Sequence, residues 1–118
     1  MKYIITESKL EKAIIHFLNK MYGDLTEYRT DEYPDSIFYI RGKKIYMERD
    51  VKKGALWVDY DTIWEDLENW FSLGDDDIEY VIANWVKETY NIMDYIPYIS
   101  NVRIRYGVEE AYNIKNRL

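Results

Sequence analysis

The chain is expected to fold as an α+β domain: a three- or four-stranded antiparallel sheet, a meander, with helices packed on one face. Two observations predict this. Two tight-turn sequences, Gly42-Lys43 and Lys52-Lys53-Gly54, separate three short runs of β-branched and aromatic residues. On both sides of those runs, apolar residues recur at helical spacing instead. The length of 118 residues fits a single domain over 1–118, and 47% hydrophobic content supplies its core without cysteine.

The elements follow in order. Leu10, Ile14, Phe17, Leu18 and Met21 form a helical stripe. Ser8 with Glu11 three residues on has the capping-box pattern, Thr6 is the rival cap, and Gly23 suits the end. The polar segment 24–35, with Pro34 near its end, reads as a loop. Strands are predicted over 37–41, 45–49 and 56–60. Alternation puts Leu56, Val58 and Tyr60 on one face of the third strand, and Trp57 and Asp59 on the other. Asp61 is placed to cap a helix whose stripe is Ile63, Trp64, Leu67, Trp70 and Phe71, with Glu65, Asp66, Glu68 and Asn69 opposite and Gly74 at its end. Asp75-Asp76-Asp77 opens a further helix, with Ile78, Val81, Ile82, Trp85, Val86 and Thr89 as its stripe. Pro97 stops it at the latest. A fourth strand over 102–106 and a last short helix over 108–118 complete the reading.

Several chemistries are excluded by residue type. Without cysteine there is no disulfide, thiolate nucleophile or cysteine metal site, and a single histidine rules out multi-histidine metal centres. His16 lies at the edge of the first stripe, a boundary position. The acids 75–77 are consecutive, with Gly74 before them, whereas calcium loops alternate their ligands around an internal glycine. Asp59 and Asp61 lie on the same side of an extended chain, yet an acid–base pair wants one carboxyl buried, and Asp61 serves more simply as a cap. The five glycines stand alone, so no phosphate-binding loop is present, and no serine has a nucleophile-elbow context. No catalytic residue, metal or cofactor is implied.

Charge is distributed unevenly. Residues 1–53 carry 11 basic and 9 acidic side chains, whereas residues 54–86 carry 9 acidic and no basic ones, against a net charge of -6 for the chain. Asp59, Glu65, Asp66, Glu68, Asp75, Asp76 and Glu79 are therefore expected to form an acidic helical face. A solvated face with acids at helix N-termini, where the macrodipole favours them, explains the same pattern. The functional reading is a surface for a protein partner with a basic surface, steering its approach, as an inhibitor or an antagonist imitating DNA phosphates would. An alternative is nucleic-acid or nucleotide binding by Arg41, Lys43, Lys44, Lys52 and Lys53, interleaved with Phe38, Tyr39, Tyr46 and Trp57. The net negative charge opposes that alternative, and lysines at turns also protect sheet edges. Positive turns of one protomer and negative helices of another would also suit a homo-oligomer. Any tryptophan left exposed is a candidate anchor.

The segment Ile4-Ile5-Thr6-Glu7-Ser8-Lys9-Leu10 resembles the opening of many small proteins encoded by tailed bacteriophages. The stretch Leu56 to Trp64, continuing to Trp85-Val86-Lys87-Glu88-Thr89-Tyr90, is similar to segments in the same group. The resemblance implies an accessory protein acting in the bacterial host cytoplasm, with no assigned activity to carry over. Fifteen isoleucines and 13 tyrosines against 4 alanines point to an AT-rich gene, which fits that origin. No apolar run reaches the length of a signal-peptide core or the roughly 18 residues of a membrane span, so a soluble cytoplasmic protein is expected.

Overall fold

A computed structural model of the chain describes residues 7–29, 34–92 and 98–102. The fold is α+β. Helix α1 (Glu7–Tyr22) is followed by strands β1 (Thr26–Tyr28), β2 (Ser36–Arg41), β3 (Lys44–Asp50) and β4 (Ala55–Asp59). A π-helical turn (Tyr60–Trp64) then leads into α2 (Glu65–Phe71), α3 (Asp75–Thr89) and strand β5 (Tyr98–Val102). The sheet order is β1-β2-β3-β4-β5, with the first three pairings antiparallel and β5 parallel to β4. A parallel neighbour needs a long crossover, and the two helices between β4 and β5 supply it.

Register decides which residues reach the helices. Ile37 and Tyr39 on β2, Met47 on β3, Leu56 and Val58 on β4 and Ile99 on β5 all join one buried cluster with α1, α2 and α3. Tyr39 pairs with Met47 but Ile40 pairs with Ile45, so Tyr46 is an extra residue in β3. This bulge lets Tyr46 pack against the helical cluster beside Met47, rather than alternating away from it. On the opposite face Phe38 and Ile45 form a smaller cluster with Tyr28 and Ile40. At the β2–β3 turn, Gly42 has φ +62°, a conformation that side chains with a Cβ resist.

The helices bury the predicted stripes, with instructive exceptions. On α1, Ile14, Leu18 and Tyr22 are buried, while Met21 remains 42% exposed. Among the described residues α1 spans Glu7–Tyr22, which includes Ser8, and Thr6 lies outside the described residues. Gly23 ends α1: its N–H donates to the Asn19 carbonyl at 3.0 Å, and a Cβ there would sit 2.4 Å from that oxygen. On α3 the whole set Ile78, Val81, Ile82, Trp85 and Val86 is buried, as its 3.6-residue period requires.

Elsewhere the boundaries differ from expectation. The segment 24–35 contributes β1, a three-residue edge strand. Gly74 does not end α2, which stops at Phe71 with Ser72 in the left-handed conformation; Gly74 instead precedes α3 in an extended conformation. The last strand lies at 98–102 and is parallel, whereas 103–106 and the predicted helix over 108–118 fall outside the described residues.

The residue at the cap position before the π-helical turn is Asp59, not Asp61. Asp59 is only 1% exposed, and its Oδ2 accepts from the Thr62 hydroxyl at 2.9 Å with Lys44 Nζ 4.0 Å away. Asp59→Ala is expected to lower stability by about 1–3 kcal/mol, because the Thr62 hydroxyl loses its acceptor in a part-buried site. Denaturant midpoints check this, and an unchanged midpoint would refute the structural role.

Candidate functional site

The seven acids expected on one face divide into two groups. Asp59 is removed from that face by burial beneath the turn. Asp66 accepts a hydrogen bond from the Tyr22 hydroxyl, which ties α2 to the end of α1. Asp75 accepts from Trp64 Nε1 at 3.4 Å, a long bond that still offers the buried indole a partner. Glu68 is half-buried, and its Oε1 is buried without a hydrogen bond. Successive helical residues step by about 100°, so Asp66 and Glu68 flank α2 on opposite sides. That leaves Glu65 and Glu79, half-buried, and Asp76, exposed, without internal hydrogen bonds among the described residues.

Two further observations define this surface. Among the described residues, no lysine or arginine pairs with Glu65, Asp66, Glu68, Asp75, Asp76 or Glu79. Trp70, expected in the core stripe of α2, is instead 72% exposed. It follows Asp66 by one helical turn, so the ring stands at the margin of the acidic helix.

The five cations of the alternative site are all exposed but do not form one patch. Arg41, Lys43 and Lys44 lie at the β2–β3 turn; Lys52 and Lys53 lie at the β3–β4 turn, at the other end of β3. Seven residues of strand separate the turns by about 20 Å. Arg41 is already engaged. It donates to the Met21 carbonyl in the last turn of α1 and pairs with Asp24 at 2.6 Å, holding that carboxyl below its usual range. Its guanidinium carbon lies 6.0 Å from the Tyr22 ring centroid and 5.3 Å from that of Tyr46. Lys44 lies 5.2 Å from the same Tyr46 ring. These are cation–π contacts, so the chain's own cations cover the tyrosine that a base would stack on. Of the interleaved aromatics, Phe38 and Tyr39 are fully buried.

The tyrosines instead serve as polar clamps. The Tyr90 hydroxyl donates to the Tyr22 carbonyl and accepts from the Leu25 N–H at 3.1 Å, holding the chain as it leaves α1. Burial pushes the Tyr90 hydroxyl up to about 12. Burial also raises Tyr22, helped by its bond to Asp66 and that carboxylate's charge.

One cleft of about 170 Å³ opens between α1 and α3. Leu10, Glu11 and Ile14 of α1 and Asp77, Tyr80 and Val81 of α3 line it, together with Leu73 just before α3. Spacings of one helical turn put each set on a single flank of its helix. Sequence reasoning did not select these residues as a site, because nothing local shows that two helices more than 50 residues apart share a groove. Among the described residues, no group of three or more histidine or carboxylate side chains could hold a metal ion, and no helix is long and apolar enough to cross a membrane. Comparison with protein-family models, with curated proteins and with solved structures finds no match.

Proposed function

We propose that the chain is a non-catalytic interaction protein, of the accessory kind encoded by tailed phages, that docks on a basic host or phage protein through α2 and α3. The observation that carries this reading is that six carboxylates on α2 and α3 have no lysine or arginine partner among the described residues, while α2 also carries a tryptophan that is 72% exposed. Uncompensated surface charge speeds the approach of an oppositely charged partner and fixes its orientation. An exposed indole supplies what charge does not, a large apolar contact of the kind that dominates interface energetics. Glu65, Asp76 and Glu79 carry the steering charge, because Asp66 and Asp75 also hold the fold together.

The test is capture from a bacterial lysate by the immobilised chain, compared with Trp70→Ala and with the triple change of Glu65, Asp76 and Glu79 to Lys. The expected result is a basic protein retained at low salt, released at high salt, and lost with either variant. Retention of the same protein by the triple variant would refute the docking face.

A further inference from the structure

The cleft between α1 and α3, we infer, is a receiving pocket for one lysine or arginine side chain of the basic partner. This rests on the docking reading above and deepens it. Size comes first: about 170 Å³ is well under the 300–1,000 Å³ of pockets for drug-sized ligands, so the cleft suits a single side chain.

The lining then selects the chemistry. Ile14, Leu73 and Val81 are 1%, 5% and 6% exposed, so the floor is apolar and held by the core. Glu11 on α1 and Asp77 on α3 place a carboxylate on each wall. A packing fault between helices would be apolar all round; this one is open and acid-edged. An anion is repelled here, and a purely aliphatic group leaves the carboxylates nothing to meet. A lysine or arginine satisfies both parts, its methylene stem lying on the aliphatic floor and its charged head reaching the rim. Glu11 has no ion pair among the described residues, whereas Asp77 already interacts within the chain, so Glu11 supplies the free acceptor and Asp77 adds to the local field. Tyr80, 59% exposed along the same wall, presents a ring to the cation. Tyr80 follows Asp76 by one turn, so the pocket adjoins the acidic surface of α3.

The test needs no identified partner. Nitrogen-15 chemical shifts of the intact chain are followed during titration with N-acetyl-lysine-N-methylamide, and with the norleucine analogue, which keeps the stem and lacks the charge. The lysine probe should shift Glu11, Ile14, Tyr80 and Val81 saturably. Norleucine, or lysine on Glu11→Gln, should bind about tenfold more weakly, as loss of a charge-assisted hydrogen bond implies. Equal binding of the two probes overturns the proposal, as do shifts spread evenly over all acidic residues. In the lysate experiment, Glu11→Gln with Tyr80→Ala should weaken partner capture. Capture that survives this pair but not the change of Glu65, Asp76 and Glu79 to Lys removes the pocket and leaves the docking face standing. A pocket that binds the lysine probe in a chain that captures no basic protein has the opposite meaning: the docking reading fails, and with it the partner side chain assigned to the pocket.

Discussion

Trp85→Ala is expected to lower the unfolding free energy by about 3–5 kcal/mol, the usual cost of truncating a buried aromatic to alanine. Trp85 is 0% exposed, and its ring meets that of Tyr90 edge-to-face at 5.4 Å. Its Nε1 donates to Asn19 Oδ1 at 3.0 Å, and the Thr89 hydroxyl donates to the same oxygen at 2.9 Å. One side chain therefore fills the space under α3, links α3 to α1, and positions the tyrosine that clamps the end of α1. Domains of this size hold about 5–15 kcal/mol in total, so the variant should lose a large fraction of its stability. Trp85→Phe keeps one aromatic ring but loses the other with its N–H, so its cost should fall below that of alanine, at about 2–3 kcal/mol. Urea titrations of the two variants check this. A loss under about 1 kcal/mol for alanine would show that the indole does not organise the core.

Much of this architecture was visible in the residues. The meander was legible because β2, β3 and β4 are long enough to alternate and are divided by glycine-bearing turns. The stripes of α1 and α3 were legible because each repeats over four turns. What escaped were features whose cause lies elsewhere in the chain. β1 has three residues, too few for a period, and forms because β2 offers an edge to pair with. The direction of β5 depends on how α2 and α3 return the chain, which no local pattern encodes. Trp70 escaped for a geometric reason. A single 3.6-residue period was applied from Ile63 to Phe71, but the chain runs through an i→i+5 turn over 60–64 first. That turn advances by a smaller angle per residue, so Ile63 and Trp64 both point inward while the later residues shift phase. Relative to this shifted stripe Leu67 is central, whereas Trp70, about 60° round α2 and one residue from its end, falls at the margin and stays exposed.

The candidate site was half legible for the same kind of reason. A run of 33 residues with acids and no bases is a property of sequence, and the lack of any basic residue on α2, and on α3 before Lys87, follows from it. Which carboxylates are free does not. Asp66 is held by Tyr22, 44 residues away, and Asp59 is hidden by a turn that begins two residues earlier than expected. Composition counts charges, but tertiary contacts decide which of them remain for a partner.

Raising the pH from 10 towards 12 is expected to destabilise the fold steeply, through a few identifiable tyrosines. In the unfolded chain a tyrosine ionises near pH 10. In the fold, burial holds the Tyr90 hydroxyl up to about 12 and raises Tyr22 and Tyr39 as well. Above pH 10 the unfolded state therefore releases protons that the native state keeps. Their contribution is fully present below pH 10 and is lost as pH rises through the native values. Each such tyrosine can remove at most about 1.4 kcal/mol per pH unit in that window. Deprotonating Tyr22 would set a phenolate against the Asp66 carboxylate, and deprotonating Tyr90 would set one against the Tyr22 carbonyl. Both clamps on the end of α1 thus fail by charge repulsion, not by simple loss of a bond. Urea midpoints at pH 9, 10, 11 and 12, with absorbance titration of the phenolates, measure the slope. Tyr22→Phe and Tyr90→Phe should each be less stable at pH 9, by about 1–3 kcal/mol for the lost hydrogen bonds, yet lose stability more gently above pH 10. Lysine deprotonation is common to all three proteins and cancels in the comparison. Parallel curves for wild type and both variants would mean that these hydroxyls ionise as freely in the fold as outside it, and the clamps would then have no energetic weight.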